Sequence, residues 1–276
     1  MIAASSFSDV DDAYFTPLDG ASPAARYLAG PLTAGPWDER LQHGGPPNAL
    51  AVTVAEEALR AESGRTDLVA MRLAADFVGP VPVGELEVRT EIRRAARSAA
   101  LVEVTLVADG RTCLLARVWF VRAADTSAIA PPLGAELPVP EGRELGLDVD
   151  FGYGSSIEWR LVKGRMGTPG PAVAWACPRT DLLPAKPPLG LARVALIADT
   201  ASGLSAELDW AQWSFVNVDL DVHLARPVEG DWILMDAATQ LGPTGSALTR
   251  STISDVRGGL GAGLQTLVVA PMAARG

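Results

Sequence analysis

The chain is poor in cysteine and histidine and has no long uninterrupted apolar run. Among 276 residues there are two cysteines and two histidines. Cys113 and Cys177 fall inside the strand-like runs RTCLLARVWF and AVAWACPR, with no C-x-x-C pair and no histidine beside them. Both are read as small buried hydrophobes rather than as disulfide or metal partners. So few ligating side chains exclude a metal constellation, and no metal or cofactor is expected. Two histidines and no G-x-S-x-G elbow exclude a serine hydrolase. The GGLGAG run at 258–263 is not a G-x-G-x-x-G fingerprint and leads into a strand, which excludes that dinucleotide motif.

No segment approaches the ~18 apolar residues of a membrane span. The leading MIAASSFSDVDDAYF lacks the basic start and apolar core of a secretory signal. A cytoplasmic protein without a membrane span is therefore expected. With 23 Lys and Arg against 33 Asp and Glu, a formal charge of -10, a large nucleic-acid surface is excluded, because phosphate neutralisation needs clustered cations. Local basic patches remain. Arg93, Arg94 and Arg97 form the densest one, with Arg160, Lys163 and Arg165 next, and each reads equally well as solvated charge at a strand end.

What the chain does have is internal repetition. A Gly/Pro-opened helix, HGGPPNALAVTVAEEALRAE (43–62), leads to a strand ending DFVGPVPVG, then to ELEVRTEI, LVEVTLV and CLLARVWFV. The order recurs as KPPLGLARVALIADTASGL (186–204), VDLDVHLARPVEG, WILMDAAT, ALTRSTIS and GLGAGLQTLVV. His43 to Pro82 and Pro188 to Pro227 both span 39 residues, an offset of 145 between halves. Asp109-Gly110 and the Asp255 to Gly259 segment supply matching hairpin turns. Residues 123–149, rich in Pro, Ala and Gly without periodicity, read as a linker. The expected domains are 1–122 and 150–276.

Leu86, Val88, Thr90 and Ile92 alternate with Glu87, Arg89, Glu91 and Arg93, a strand with one dry face. The segment 189–204 carries only Arg193 and Asp199 as charges, so it reads as a helix buried nearly all round. One apolar helix followed by four antiparallel strands, twice over, predicts an α+β chain of two tandem hotdog folds. In each, a sheet wraps a central helix, and the two domains pack through their sheets.

The segments GPLTAGPWDERLQHGG, DFVGPVPVGELEV, SIEWRLVKG, ALIADTASG, VHLARPVEGDWILMD and LQTLVV resemble, in their order and spacing, the acyl-CoA thioesterase II family and the related thioesterase-like superfamily of double hotdogs. The likeness runs from about residue 13 to 270. It implies hydrolysis of acyl-CoA thioesters by a water that an Asp, a Thr and a Gln hold. These positions fall on Asp199, Asn217 and Gln265, with Asn217 standing where the family has Thr. It also implies an acyl-CoA partner, for which a basic rim would be useful. A fused pair already supplies the interface that single hotdogs gain by dimerising, and a homo-oligomer stays open.

Independently of the resemblance, Asp199 is the odd residue of its helix. A buried carboxylate needs partners or a reason, and it suits a general base for water. The offset sets it opposite Val54, which predicts one catalytic centre per chain. Gln265 is an amide able to orient a water or an exposed strand residue. Alternation puts Val218, Leu220, Val222 and Leu224 on the dry face and Asn217, Asp219, Asp221 and His223 on the other. Asn217 then points outward unless it precedes the ladder or follows a bulge. His43, Gly44 and Gly45 open the first helix, where backbone N–H groups can bind substrate or polarise a carbonyl; the alternative is punctuation, glycines for the turn and proline for the first helical position. Two rival functions are an acyl-CoA or lipid-binding double hotdog without turnover and a hotdog enoyl-CoA hydratase. The second would rest on Asp219 and His223, whose spacing is one residue short of Asp-x4-His.

Overall fold

The computed structural model describes residues 13–21, 24–130, 136–140, 151–165 and 167–272. The first half consists of β1 (Phe15–Ala21), β2 (Ala24–Ala29), α1 (Gly45–Ser63), β3 (Leu68–Phe77), β4 (Glu85–Ala95), β5 (Ala99–Ala108) and β6 (Arg111–Arg122). The second consists of α2 (Gly152–Ser155), β7 (Ile157–Lys163), β8 (Ala172–Pro178), α3 (Gly190–Ala198), α4 (Ala201–Leu204), β9 (Trp213–Asn217), β10 (Asp219–Leu224), β11 (Ile233–Leu241), β12 (Ser246–Asp255) and β13 (Gly258–Pro271). Strands β1, β2 and β9 were not foreseen in the sequence. Of the expected linker, residues 123–130 and 136–140 form no helix or strand, and 131–135 and 141–149 lie outside the described residues.

Local chemistry sets the element ends. Helix α1 begins with Pro46 and Pro47 in its first turn and stops at Gly64, whose left-handed φ of 65° closes the C-terminus. The β5–β6 hairpin turns on Asp109 and Gly110, both at positive φ, the conformation a two-residue hairpin needs. Cys113 is buried, Cys177 is half-buried rather than fully buried, and both are free thiols.

The strands form one thirteen-stranded sheet in the order β1-β2-β4-β5-β6-β3-β10-β13-β12-β11-β8-β7, with β9 paired to β13. Its ladders are antiparallel. The halves meet edge to edge, β3 pairing with β10 from Asp76–Asp219 to Arg72–His223. Helices α1 and α3 pack against each other inside this sheet, and a single apolar core draws on both halves from Tyr14 to Leu260. The first strand segment also reaches across, since Tyr14 and Phe15 donate backbone N–H groups to Asp181 and Leu182.

The repeat is regular in the sheet. Phe77, Ala99 and Arg111 of the first half correspond to Leu224, Ser246 and Gly258 of the second, a constant difference of 147. The pair Ala74–Asp221, also 147 apart, lies in the β3–β10 ladder and marks the local two-fold relation. The helices start 145 apart, at Gly45 and Gly190, as the proline spacing predicted. Two extra residues therefore separate helix from strand in the second half.

Candidate active site

The apolar segment 189–204 is not one helix. It breaks at Asp199 and Thr200, between α3 and α4, so Asp199 occupies a helix end and not the helix interior expected from the sequence. The break has a hydrogen-bond cause. Thr200 donates its N–H to Ile197, three residues back, while the carbonyl of Leu196, the ordinary partner four residues back, accepts instead from the Tyr153 hydroxyl at 2.9 Å. The carbonyl of Asp199 accepts from Gln265 Nε2 at 3.1 Å. Side chains from outside the helix thus take two of its acceptors and turn the Asp199 carboxylate toward its partners.

Asp199 is 4% exposed, and three side chains surround it. Asn217 Nδ2 donates to Oδ1 at 2.7 Å, Gln265 Nε2 approaches the same oxygen at 3.4 Å, and His43 Nδ1 lies 3.2 Å from Oδ2. The structure therefore brings together Asp199, Asn217, Gln265 and His43. Asn217 corrects the outward orientation that simple alternation gave. It pairs with Leu267 across β9–β13, whereas Asp221 pairs with Leu264 across β10–β13, so the strand carries one extra residue at Val218. This bulge leaves Val218 exposed and sets Asn217 on the side of buried Phe215, Leu220 and Val222. The first half has its bulge at Met71, between Ala70 and Arg72, the same place in the repeat. Asn217 meets the carboxylate through an amide N–H, as a hydroxyl could.

Gln265 is 1% exposed. Its contacts are to the carboxylate and backbone carbonyl of Asp199, and its own Oε1 has no partner among the described residues.

His43 is held on three sides. Its ring stacks flat on Tyr153, with centroids 3.8 Å apart and planes within 2°. Its Nδ1 accepts the Gly45 N–H at 3.1 Å, and its backbone N–H goes to Thr33. Burial pushes its pKa below the usual histidine value, against the opposing pull of Asp199, which favours a neutral imidazole. Tyr153 is anchored by Leu196 O and by Thr200 Oγ1 at 2.8 Å, on either side of Asp199 in sequence. Burial raises the Tyr153 pKa well above the ordinary phenol, so it acts as a neutral hydrogen-bonding group. Sequence reasoning missed Tyr153, because a tyrosine in a four-residue helix carries no periodic signal.

Gly44 and Gly45 are required by contact. A side chain at Gly44 would put Cβ 2.6 Å and 2.7 Å from the two carboxylate oxygens and 2.6 Å from Phe77 Cζ, and one at Gly45 would collide with the carbonyl of Leu196. Both glycines let the start of α1 close on the Asp199 break.

Above the carboxylate opens a cleft of about 1430 Å³. Asp199, Asn217, His43 and Gly44 lie in its lining, among apolar side chains that include Phe77, Leu161 and Phe215. Of the six basic residues singled out as rim candidates, Arg165 lines it. Arg93 instead pairs with Glu91 and Glu103, Arg94 covers Trp119, and Arg160 pairs with Glu158 and stacks on Trp232. Arg93 and Arg160 thus bind carboxylates two residues back on their own strands, where side chains share a face, and Arg93 also reaches Glu103 across β4 and β5. Asp219 and His223 do not act together: Asp219 accepts the Thr266 N–H, and His223 meets Arg72. Among the described residues there is no cluster of three metal-ligating side chains, and no helix is long and apolar enough to cross a membrane.

Comparison with known proteins agrees with this architecture. The chain is similar along 95% of its length to a hotdog-fold protein from Alicyclobacillus acidocaldarius, at 15% identity over 97% of that chain with a TM-score of 0.72. An acyl-CoA thioesterase II from Mycobacterium marinum matches at 17% identity, over 94% of this chain and 96% of that one, with a TM-score of 0.68. The tesB protein of Mycobacterium avium subs paratuberculosis matches at 17% identity, over 92% and 96%, with a TM-score of 0.67. No curated protein matches the sequence. Likenesses at this identity establish the hotdog fold. The sequence itself matches the acyl-CoA thioesterase N-terminal domain over residues 33–121 and the acyl-CoA thioesterase C-terminal domain over residues 131–269. Two such domains, in the order the duplication requires, account for most of the chain, and it belongs to the acyl-CoA thioesterase family.

Proposed function

We propose that the chain hydrolyses acyl-CoA thioesters with Asp199 as the general base. The observation that carries this reading is the buried Asp199 carboxylate, bracketed by Asn217, Gln265 and His43 at the floor of an apolar cleft. A water in the cleft donates one proton to Asp199 and the other to the free carbonyl oxygen of Asn217. As Asp199 takes its proton, the water oxygen bonds to the thioester carbon. The resulting oxyanion faces the Gly44 amide at the start of α1, since the Gly45 N–H is already held by His43. Collapse breaks the carbon–sulfur bond, and the thiolate leaves with the proton held by Asp199, giving a carboxylic acid and free CoA. Gln265, buried behind the carboxylate, orients Asp199 rather than the water.

Release of free thiol from a panel of acyl-CoA thioesters tests this directly. We expect turnover by the native chain and a loss of about 10²–10⁴-fold in kcat for Asp199→Asn. Unchanged turnover in the variant would overturn the base assignment. Tight binding without thiol release from any member of the panel would leave an acyl-CoA-binding protein instead.

A further inference from the structure

One part of the cleft is unlike the rest. Trp37, from the loop before α1, lies over Trp210 with ring centroids 5.5 Å apart and planes 26° apart. Phe215 stands edge-on to both, at 5.2 Å and interplanar angles of 89° and 86°. All three rings line the cleft. Phe215 and Asn217 are two residues apart on β9 and project to the same side, so about 7 Å of strand separates the aromatic cluster from the residue that holds Asp199. Trp37 remains 39% exposed, so the cluster presents ring surface to whatever occupies the cleft.

Resting on the thioester-hydrolysis reading above, we propose that Trp37, Trp210 and Phe215 form the acyl-recognition wall and select ring-bearing, aromatic acyl groups over straight aliphatic chains. Three features support this assignment. The first is distance, because a group within one residue pair of the reacting carboxylate meets the acyl side of the thioester, whereas the nucleotide of CoA sits at the far end of the pantetheine arm. The second is charge. Asp38 and Asp209 adjoin the two tryptophans in sequence and line the same cleft, and pairing with Arg40 holds Asp38 down to a pKa of about 2. With Asp38 already paired to Arg40, and Arg165 of the lining on the segment after β7 and not beside a wall residue in sequence, the wall offers a phosphate no unpaired cation and suits an uncharged ring. The third is geometry, since stacked and edge-to-face contacts add a gain beyond apolar area that an alkyl chain cannot collect. The position equivalent to Phe215 in the first half, 147 residues earlier, is Leu68, so the repeat does not place a second aromatic ring there, and the first half contributes to the wall through Trp37 alone.

The test compares two acyl groups of equal carbon number, phenylacetyl-CoA and octanoyl-CoA, by kcat/KM on the full chain. The native protein is expected to favour the phenylacetyl ester by about tenfold, the ratio that one or two aromatic contacts supply. In Trp210→Leu and Phe215→Leu the ratio should collapse toward one. Thiol release with octanoyl-CoA equal or faster in the native protein would overturn the selectivity. An unchanged ratio in folded variants would overturn the assignment of these rings. No thiol from either ester would instead remove the hydrolysis reading on which the selectivity depends. Should a leucine variant fail to fold, calorimetric binding of both esters to Asp199→Asn decides the matter, with tighter octanoyl binding counting against the wall.

Discussion

The two halves of the chain share a fold and differ in what they bury. Helix α1 runs unbroken for 19 residues, while its counterpart breaks after nine into α3 and α4. Asp199 corresponds to Val54 by the helix starts. By the sheet relation of 147, Asn217 corresponds to Ala70 and Gln265 to Val118. Val54, Ala70 and Val118 are all buried and apolar, so Asp199, Asn217 and Gln265, the polar groups around the carboxylate that come from the second half, each have an apolar counterpart in the first. The bulge is common to both strands and cannot by itself make a site. The difference teaches that the scaffold supplies the inward position at residues 70 and 217 alike, and that three side-chain identities decide which copy holds a carboxylate.

If that is so, planting the acid alone in the first half should damage the fold rather than create a second centre. Val54→Asp would bury a carboxylate with Ala70 and Val118 at the positions of its donors. A loss of about 3–5 kcal/mol of stability is expected, the scale for an uncompensated buried charge, with thiol release per chain unchanged or lower. Denaturant unfolding measures the first and an acyl-CoA assay the second. A stable Val54→Asp chain with doubled turnover would break the comparison. Next in size is Gly44→Ala. Its methyl would stand 2.6 Å from the carboxylate and from Phe77, and displacing the base by a fraction of an ångström should lower kcat by about 10²-fold, with a much smaller change in melting temperature.

How far the sequence disclosed this follows from the same residues. The repeat, the four main strands of each half and the lone acid were legible, because period-2 alternation and an uncharged helix leave direct marks. The inward turn of Asn217 was not, since one extra residue at Val218 inverts parity without any change in composition. Nor was the helix break legible. It depends on Tyr153 and Gln265, which are 46 residues before and 66 after Asp199, and neither carries a local signal. His43 looked like turn punctuation. Its contact with Asp199 needs α1 and α3 packed together, a long-range fact that local pattern does not contain. The basic clusters read equally well as a rim or as strand-end charge, and what decides Arg93 is its carboxylate neighbours, Glu91 and Glu103.

Tyr153→Phe sharpens the comparison at smaller scale, since the first half needs no such prop for its continuous helix. Phenylalanine keeps a ring to stack on His43 but loses the bonds to Leu196 O and Thr200 Oγ1. Leaving those buried groups unpaired should cost about 1–3 kcal/mol. Because the break that aims Asp199 is loosened, kcat should fall while KM for the thioester stays near its native value. Equal falls in kcat and in the folded fraction would reduce Tyr153 to a merely structural residue.

The smallest effect belongs to the first half and to pH. Glu56 on α1 is half-buried, and burial, assisted by Glu57 and opposed by Arg60, pushes its pKa from 4.5 up to about 7. Between those values the folded chain holds a proton that the unfolded chain has released. Stability linked to Glu56 is therefore greatest below about pH 4.5 and is lost as pH rises through about 7. Glu56→Gln cannot ionise, so its melting temperature relative to the native chain should rise by about 2 °C between pH 5 and pH 8. Thiol release should keep the native pH profile, because Asp199, the proposed base, lies in the other half. A pH-independent difference in melting temperature would show that Glu56 ionises freely in the folded chain, and a shifted activity profile would show that the two halves are coupled through α1.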